Sequence, residues 1–333
     1  MSPALPPVSV VMPLLQEERT LAEAVDAVLA QGYPGELEIV LAVGPSADRT
    51  QEVADRLAAR DPRVRVVANP TGRTPDGLNA AIDAARHEVI VRCDGHAAFS
   101  PGYIETAVRT LAETGAANVG GIMHPVGHTN FERAVAVAMS SRIGVGGGRF
   151  HTGGEPGPVD TVYLGVFNRA WLRRVGAFDR RFTRTQDWEL NHRIREAGGT
   201  VWFTPRLRVD YRPRGSVRAL AKQYRDYGRW RRVVAATHEG TLNPRYLAPP
   251  VALLACAAGA VGGLVWRPLW AVPATYAAAV TVGGVAVGRA EGPAVAARLP
   301  LVLATMHGSW GWGFLTSRPE QLLRSVAPSK EST

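Results

Sequence analysis

The sequence predicts an α/β protein, with a mostly parallel sheet covered by helices over residues 1–246 and apolar transmembrane helices behind it. Three observations predict this. Short β-branched runs alternate with amphipathic stretches through the first half. The composition changes sharply near residue 246, after which charges almost vanish over three stretches. The chain, at 333 residues, is also long enough to bury a sizeable core.

The elements can be justified in order. "VSVVMP" (8–13) reads as a strand and "TLAEAVDAVLAQ" (20–31) as an amphipathic helix. "LEIVLAV" (37–43) is the next strand, a helix follows over roughly 49–60, and "VRVV" (64–67) is a third strand. The turn-rich "ANPTGRTPDG" leads to a short helix from Leu78 and then to a fourth strand carrying Val89, Ile90 and Val91. A helix near 102–114 and a strand near 117–123 come next. Strand, helix and strand repeated in this way imply a parallel sheet, whose ligands bind outside the carboxyl ends of the strands. Asp94 and His96, in "VIVRCDGHAAF" (89–99), lie just past the fourth strand on that side, although Asp-Gly is also ordinary turn chemistry.

Two regions beyond the sheet stand out. "VGGGRFHTGGEPGP" (145–158) is too rich in Gly and Pro to pack regularly, and is either a lid or a mobile loop. "SVRALAKQYRDYGRWRR" (216–232) reads as a helix on which Arg218, Lys222, Arg225, Arg229 and Arg232 form one stripe. This basic helix, within 215–235, directly precedes the apolar runs, which places it on an anionic membrane surface. The runs Leu247–Val265 and Leu269–Gly288 carry no charge. The third, Leu299–Ser317, contains only His307 and either spans or lies at the interface where Trp is favoured. Each is near the ~20 residues that cross a hydrocarbon core. A buried helical hairpin is the plainer alternative. Residues 247–317 are thus expected to supply two to three membrane helices, and 318–333 a flexible tail.

The net charge is +9, nearly all of it from arginine, which suggests partners bearing phosphate. Nucleic acid is disfavoured, because the basic stripe abuts apolar runs and lacks interleaved stacking aromatics. Cys93 and Cys256 share no C-x-x-C, which argues against a disulfide framework or zinc site. The N-terminus lacks a basic start and is broken by Pro13 and Glu17, unlike a secretory signal.

Four segments in order resemble family-2 glycosyltransferases of the GT-A fold, the nucleotide-diphospho-sugar transferase architecture. They are "VVMPLLQEERTLAEAVDAVLAQGYP", "VGPSADRT", "GRTPDGLNAAIDAARHEVIVRCDGH" and "FTRTQDWELNHRIREAGG". Within that family the chain is similar to membrane-bound bacterial enzymes of exopolysaccharide assembly, the succinoglycan-type group. The likeness covers roughly residues 6–235, and the apolar runs behind it also look like that group.

The resemblance implies an inverting transfer of a sugar from a nucleotide-sugar to an acceptor hydroxyl, with a lipid-linked or oligosaccharide acceptor. It implies a multi-pass protein of the cell membrane with a cytoplasmic catalytic domain. Two chemical tasks follow. Charge on the departing nucleoside diphosphate needs a divalent cation, Mn²⁺ or Mg²⁺. Asp94 and His96 match the family's Asp-x-Asp, with an imidazole in place of the second acid; Asp94 is the expected metal ligand, and His96 ligates or bonds a phosphate. The acceptor hydroxyl needs a general base, and Asp187 matches it; a helix cap is its alternative role. Gln186 replaces a frequent acid, and Glu189 should point elsewhere. Pro13, Glu17 and Asp48 match positions that line base and ribose, while Val43 stands where an acid is common. Arg73 matches a basic residue near the diphosphate. Gln223, Arg229 and Trp230 loosely match the Gln-x-x-Arg-Trp motif of processive members, implying acceptor or diphosphate contacts. The departures at Val43, His96 and Gln186 would suit a degenerate sugar-binding subunit, which the pairing of Asp94 with Asp187 argues against. A sugar-phosphate nucleotidyltransferase would want a glycine-rich basic loop where "PLLQEERT" stands.

Overall fold

The computed structural model describes residues 5–326, which form two compact units. One contains the described residues up to 123 together with 153–210, and the other contains 124–152 and the chain from 211 onward.

The first unit is built on a nine-stranded sheet. In chain order its strands are β1 (Val8–Leu14), β2 (Leu37–Val43), β3 (Val64–Ala68), β4 (Val89–Arg92) and β5 (Ala98–Phe99). They are followed by β6 (Asn118–Pro125), β7 (Gly157–Pro158), β8 (Tyr163–Asn168) and β9 (Val201–Tyr211). Spatially they run β3-β2-β1-β4-β8-β6-β9-β5, with β7 on β9.

The expected parallel half is present: β1 pairs in parallel with β2 and β4, and β2 with β3. The other half corrects the expectation. β8 lies antiparallel to both β4 and β6, and β5 and β7 lie antiparallel to β9. The sheet is therefore mixed. A parallel pair needs a crossover of a dozen residues or more, and helices supply one between each pair of strands from β1 to β4. The long excursion before β8 instead brings that strand back between β4 and β6, against both.

Both faces of the parallel half are covered, which is why its strands read as unbroken apolar runs. Val8, Val10, Met12 and Leu14 pack with Leu21, Val25, Val53, Leu57, Ile104 and Val108 of the helices on one face. Val11, Val40, Ala42 and Ile90 face the other way, onto Leu78, Ile82, Leu190 and Ile194. Withdrawing each large side chain such as Ile39 or Leu41 from water contributes about 1.5–3 kcal/mol. The helix expected from Leu78 begins earlier, spanning Thr74–Ala84 with Pro75 in its first turn. Proline is well placed there because its missing N–H has no intrahelical partner to lose. The glycine-rich segment is partly ordered, with a single turn at Arg149–Thr152 and β7 paired to Trp202 and Phe203.

The second unit is helical. Its helix Asn130–Met139 opens on a capping box between Thr129 and Glu132. The basic helix spans Val217–Thr237 and leaves Arg218, Lys222, Arg225 and Arg232 exposed. It crosses Leu299–Thr316 at backbone contact: a Cβ on Gly228 would meet the Trp310 carbonyl oxygen at 2.1 Å, and one on Gly313 the Arg225 carbonyl oxygen at 2.1 Å. Glycine alone allows that approach. Leu299–Thr316 buries Val302, Leu303, Met306 and Phe314 against the protein and leaves Leu301 and Trp312 exposed. Pro244–Gly262 and Arg267–Glu291 are the helices long and apolar enough to cross a membrane among the described residues. They leave Val251, Leu254, Val261 and Val282 exposed. Pro319–Val326 of the expected tail is helical; residues 1–4 and 327–333 lie outside the described residues.

Candidate active site

The loops after β1, β2, β3 and β4 meet at the carboxyl ends of the parallel strands. β1 is flanked by β2 on one side and β4 on the other, which makes this the switch point where an open α/β sheet opens a crevice.

The loops after β1 and β2 are tied to each other by polar bonds. Asp48 Oδ1 accepts from the Thr50 hydroxyl at 2.5 Å and its N–H at 3.1 Å, and Oδ2 accepts from the Glu18 N–H at 3.2 Å. The Thr50 hydroxyl, aided by these N–H groups, holds the Asp48 carboxyl below the usual aspartate range. The Glu17 N–H donates to Thr50 Oγ1 at 2.8 Å. Glu17 then binds His96: Oε1 lies 2.8 Å from the imidazole Nδ1, while Oε2 accepts from the Thr20 hydroxyl at 2.7 Å. Gly95 makes this contact possible, because a Cβ there would sit 2.7 Å from Leu14 Cδ2 and 2.9 Å from Glu17 Cγ. Pro13 lies beyond the last β1–β4 pairing, Val11 with Arg92, and opposite Ala42 of β2. Val43 ends β2 and is buried.

After β3, Arg73 stands at the cap position of Thr74–Ala84 and its Nε donates to Asp76 Oδ2 at 2.6 Å. Arg180 Nε approaches the other Asp76 oxygen at 3.3 Å. Two guanidinium groups thus share one acid, and Arg180 was not singled out from the sequence.

The two acids singled out from the sequence converge on one group. Arg92, the last residue of β4, is buried at 4% exposure. Its Nε and Nη2 donate to Asp94 Oδ1 at 3.3 and 3.1 Å, and its Nη1 donates to Asp187 Oδ1. Asp187 is the second residue of the helix Gln186–Glu196, and Thr185 holds the cap position with φ +57°. The alternative role of Asp187 as cap therefore gives way to the pairing with Arg92. Glu189 points elsewhere, as expected: it is buried on Arg193 at 2.7 Å. Burial lifts the Asp187 carboxyl above its ordinary range; Arg92 opposes the rise and Asp94 adds to it. Burial alone would favour neutral Arg92, but the charges of Asp187 and Asp94 outweigh it and keep the guanidinium protonated. Sequence reading missed Arg92. Its one signal was an arginine inside a buried β-branched strand, two residues before Asp94.

Gln223, Arg229 and Trp230 belong to the second unit. Gln223 Nε2 donates to the hydroxyls of Tyr211 and Tyr227 at 2.8 and 2.9 Å, Arg229 lies 3.8 Å from Asp226, and Trp230 is buried.

No group of three or more metal-capable His, Cys, Asp or Glu side chains forms among the described residues. Asp94 and His96 offer one carboxylate and one imidazole. That set fits a cation which completes its shell with diphosphate oxygens, the habit of Mg²⁺ and Mn²⁺ in phosphate chemistry.

The family model described as "Glycosyl transferase family 2" matches residues 9–176. The succinoglycan biosynthesis protein ExoA of Rhizobium meliloti (strain 1021) is 31% identical over 314 residues, 92% of this chain and 93% of that protein. A dolichyl N-acetyl-alpha-D-glucosaminyl phosphate 3-beta-D-2,3-diacetamido-2,3-dideoxy-beta-D-glucuronosyltransferase of Methanococcus voltae is 24% identical over 66% of this chain and 71% of its own. Among solved structures, the mannosyltransferase PcManGT of Pyrobaculum calidifontis, in complex with GDP-Man and Mn²⁺, superposes with a TM-score of 0.55 at 19% identity. It covers 97% of this chain and 86% of its own. S. aureus TarS 1-349 in complex with UDP-GlcNAc gives 0.53 at 13% identity, covering 93% and 91%. These likenesses show a GT-A-like fold.

Proposed function

The chain belongs to glycosyl transferase family 2 and is a glycosyltransferase, and from that premise we propose that it moves a sugar from a nucleotide-diphospho-sugar to a hydroxyl of a lipid-linked saccharide, with inversion, in exopolysaccharide synthesis. The observation that carries the reading is the convergence of Asp94 and Asp187 on Arg92 at the carboxyl end of β4.

Asp187 acts as general base. It accepts the acceptor hydroxyl proton as that oxygen bonds to the anomeric carbon and the bond from that carbon to the diphosphate breaks, releasing nucleoside diphosphate. The raised Asp187 carboxyl supports this role, since a base is most effective with a pKa drawn toward the working pH. Asp94, with His96, would hold a divalent cation, which when bound neutralises charge on the leaving diphosphate. Arg73 contacts the diphosphate, and Pro13, Glu17 and Asp48 border the base and ribose. The exposed apolar faces of Pro244–Gly262 and Arg267–Glu291, with the exposed stripe Arg218, Lys222, Arg225 and Arg232, support a membrane-held enzyme. A lipid-linked acceptor is consistent with the dolichyl phosphate substrate named in the Methanococcus voltae relative.

The test is to incubate purified full-length protein with MnCl₂ and a panel of UDP- and GDP-sugars, and to measure nucleoside diphosphate release with and without lipid-linked acceptors. Release stimulated by a lipid-linked acceptor is expected. Release equal with and without every such acceptor would overturn the acceptor assignment.

A further inference from the structure

Both acids of the proposed mechanism reach the same buried cation, and Arg92 thereby joins the donor-side loop after β4 to the acceptor-side helix Gln186–Glu196 through two ion pairs. We propose that Arg92 is a positioning residue for the transfer, one guanidinium setting the distance between Asp94 and Asp187 across the cleft; this rests on the reading above.

Three features argue for it. The guanidinium fork suits the task, because Nε and Nη2 face one carboxylate while Nη1 reaches the other. A lysine offers a point charge on a flexible stem and cannot reproduce that fork. Next, Arg92 is built into the frame. Alternation along β4 turns Val91 and Cys93 into the core on one face and sends Arg92 to the other. There its guanidinium carbon lies 6.0 Å from the centre of the Phe178 ring. Phe178 is itself pinned, since its N–H donates to Asn79 Oδ1 at 3.0 Å and its carbonyl accepts from Asn79 Nδ2 at 2.7 Å. Lastly, a buried cation is costly unless paired, so Arg92 has no other stable station in the site than between its two acids. Without it, two carboxylates would face one cleft with nothing to hold them in register.

Positioning of this kind affects the chemical step more than donor binding. The experiment is a kinetic cycle on the full chain with Arg92→Gln, Asp187→Asn and the double variant, each checked for folding by its thermal unfolding midpoint. The probe is whichever of UDP-glucose, UDP-galactose, UDP-N-acetylglucosamine and GDP-mannose the wild type turns over fastest with MnCl₂. Arg92→Gln is expected to lower kcat about 100-fold while donor KM moves less than about threefold. In the Asp187→Asn background the same change should cost less than about threefold more, because the base it positions is already absent. Arg92→Lys, which keeps the charge and carries the test should the Gln variant not fold, is expected to recover no more than about tenfold. Full multiplication of the two losses, or an effect confined to KM, would overturn the proposal. Near-normal turnover in Asp187→Asn would instead sink the base assignment. A dead Asp187→Asn beside a near-normal Arg92→Gln would sink the positioning role alone.

Discussion

The loops after β1 and β2 and the acid pair at Arg92 border the same cleft but are held in opposite ways. In the loops, polar groups are bound several times over: Asp48 accepts three protein hydrogen bonds, and Glu17 is held by both carboxylate oxygens. At the acid pair, two carboxylates depend on one guanidinium. The first arrangement suits a scaffold that keeps its shape with or without a ligand. The second suits reacting groups, which one buried guanidinium positions through a single oxygen of each. On the proposed assignment, the polar groups that shape the nucleotide side are bound more redundantly than the acids that take part in the transfer.

Substitutions that break this contrast should have effects of very different size. The largest is expected for Asp187→Asn, which should keep the fold and lose about 10³-fold in kcat, read as nucleoside diphosphate release. The same carboxyl sets a pH limit. In the proposed role Asp187 works deprotonated, so activity should fall as pH drops through its raised pKa. An acid limb at or below the ordinary aspartate value of about 4 would contradict the burial argument.

Asp94→Ala comes next, with an expected loss of about 100-fold at fixed MnCl₂, the scale of removing one charge-stabilising group. A titration of rate against Mn²⁺ checks it, and an unchanged curve would remove Asp94 from the metal site. Arg73→Met should raise donor KM about tenfold and leave kcat within about twofold, as expected when one charged contact common to ground and transition states is lost.

The smallest effect is expected on the scaffold side. Asp48→Asn should leave kcat near normal and lower the thermal unfolding midpoint slightly at neutral pH. The folded pKa of Asp48 is depressed, so its contribution is present above the ordinary aspartate pKa and lost as pH falls through the folded value. The gap between wild type and Asp48→Asn should therefore narrow as pH falls below the ordinary aspartate value of about 4. A large kcat loss in this variant would erase the distinction between scaffold and reacting groups.

Much of this was legible in one dimension. β1, β2, β3 and β4 announce themselves through apolar runs bounded by turns, and their observed limits lie within about a residue of those read from the chain. Asp94 and Asp187 could be named because motif chemistry is local. β8 and β9 were not read as strands at all. "YLGVFN" is short, includes Leu164 at φ +56° and Gly165 at +128°, and owes its place to partners on β4 and β6 far away in sequence. The third apolar run shows a related limit of reading in one dimension. Hydropathy does not distinguish a surface that meets lipid from one that meets protein, and Leu299–Thr316 meets Val217–Thr237.

By itself, then, the sequence determined the parallel half of the sheet and the family, and it singled out both acids as candidates, because each is written in neighbouring residues. Tertiary structure decided the direction of the later strands, the packing of one face of the third apolar helix and the convergence of Asp94 and Asp187 on Arg92. Those outcomes depend on pairings between residues as distant as Arg92 and Asp187, 95 positions apart. No local pattern encodes which arginine will lie between two acids; only the closed fold brings them within reach.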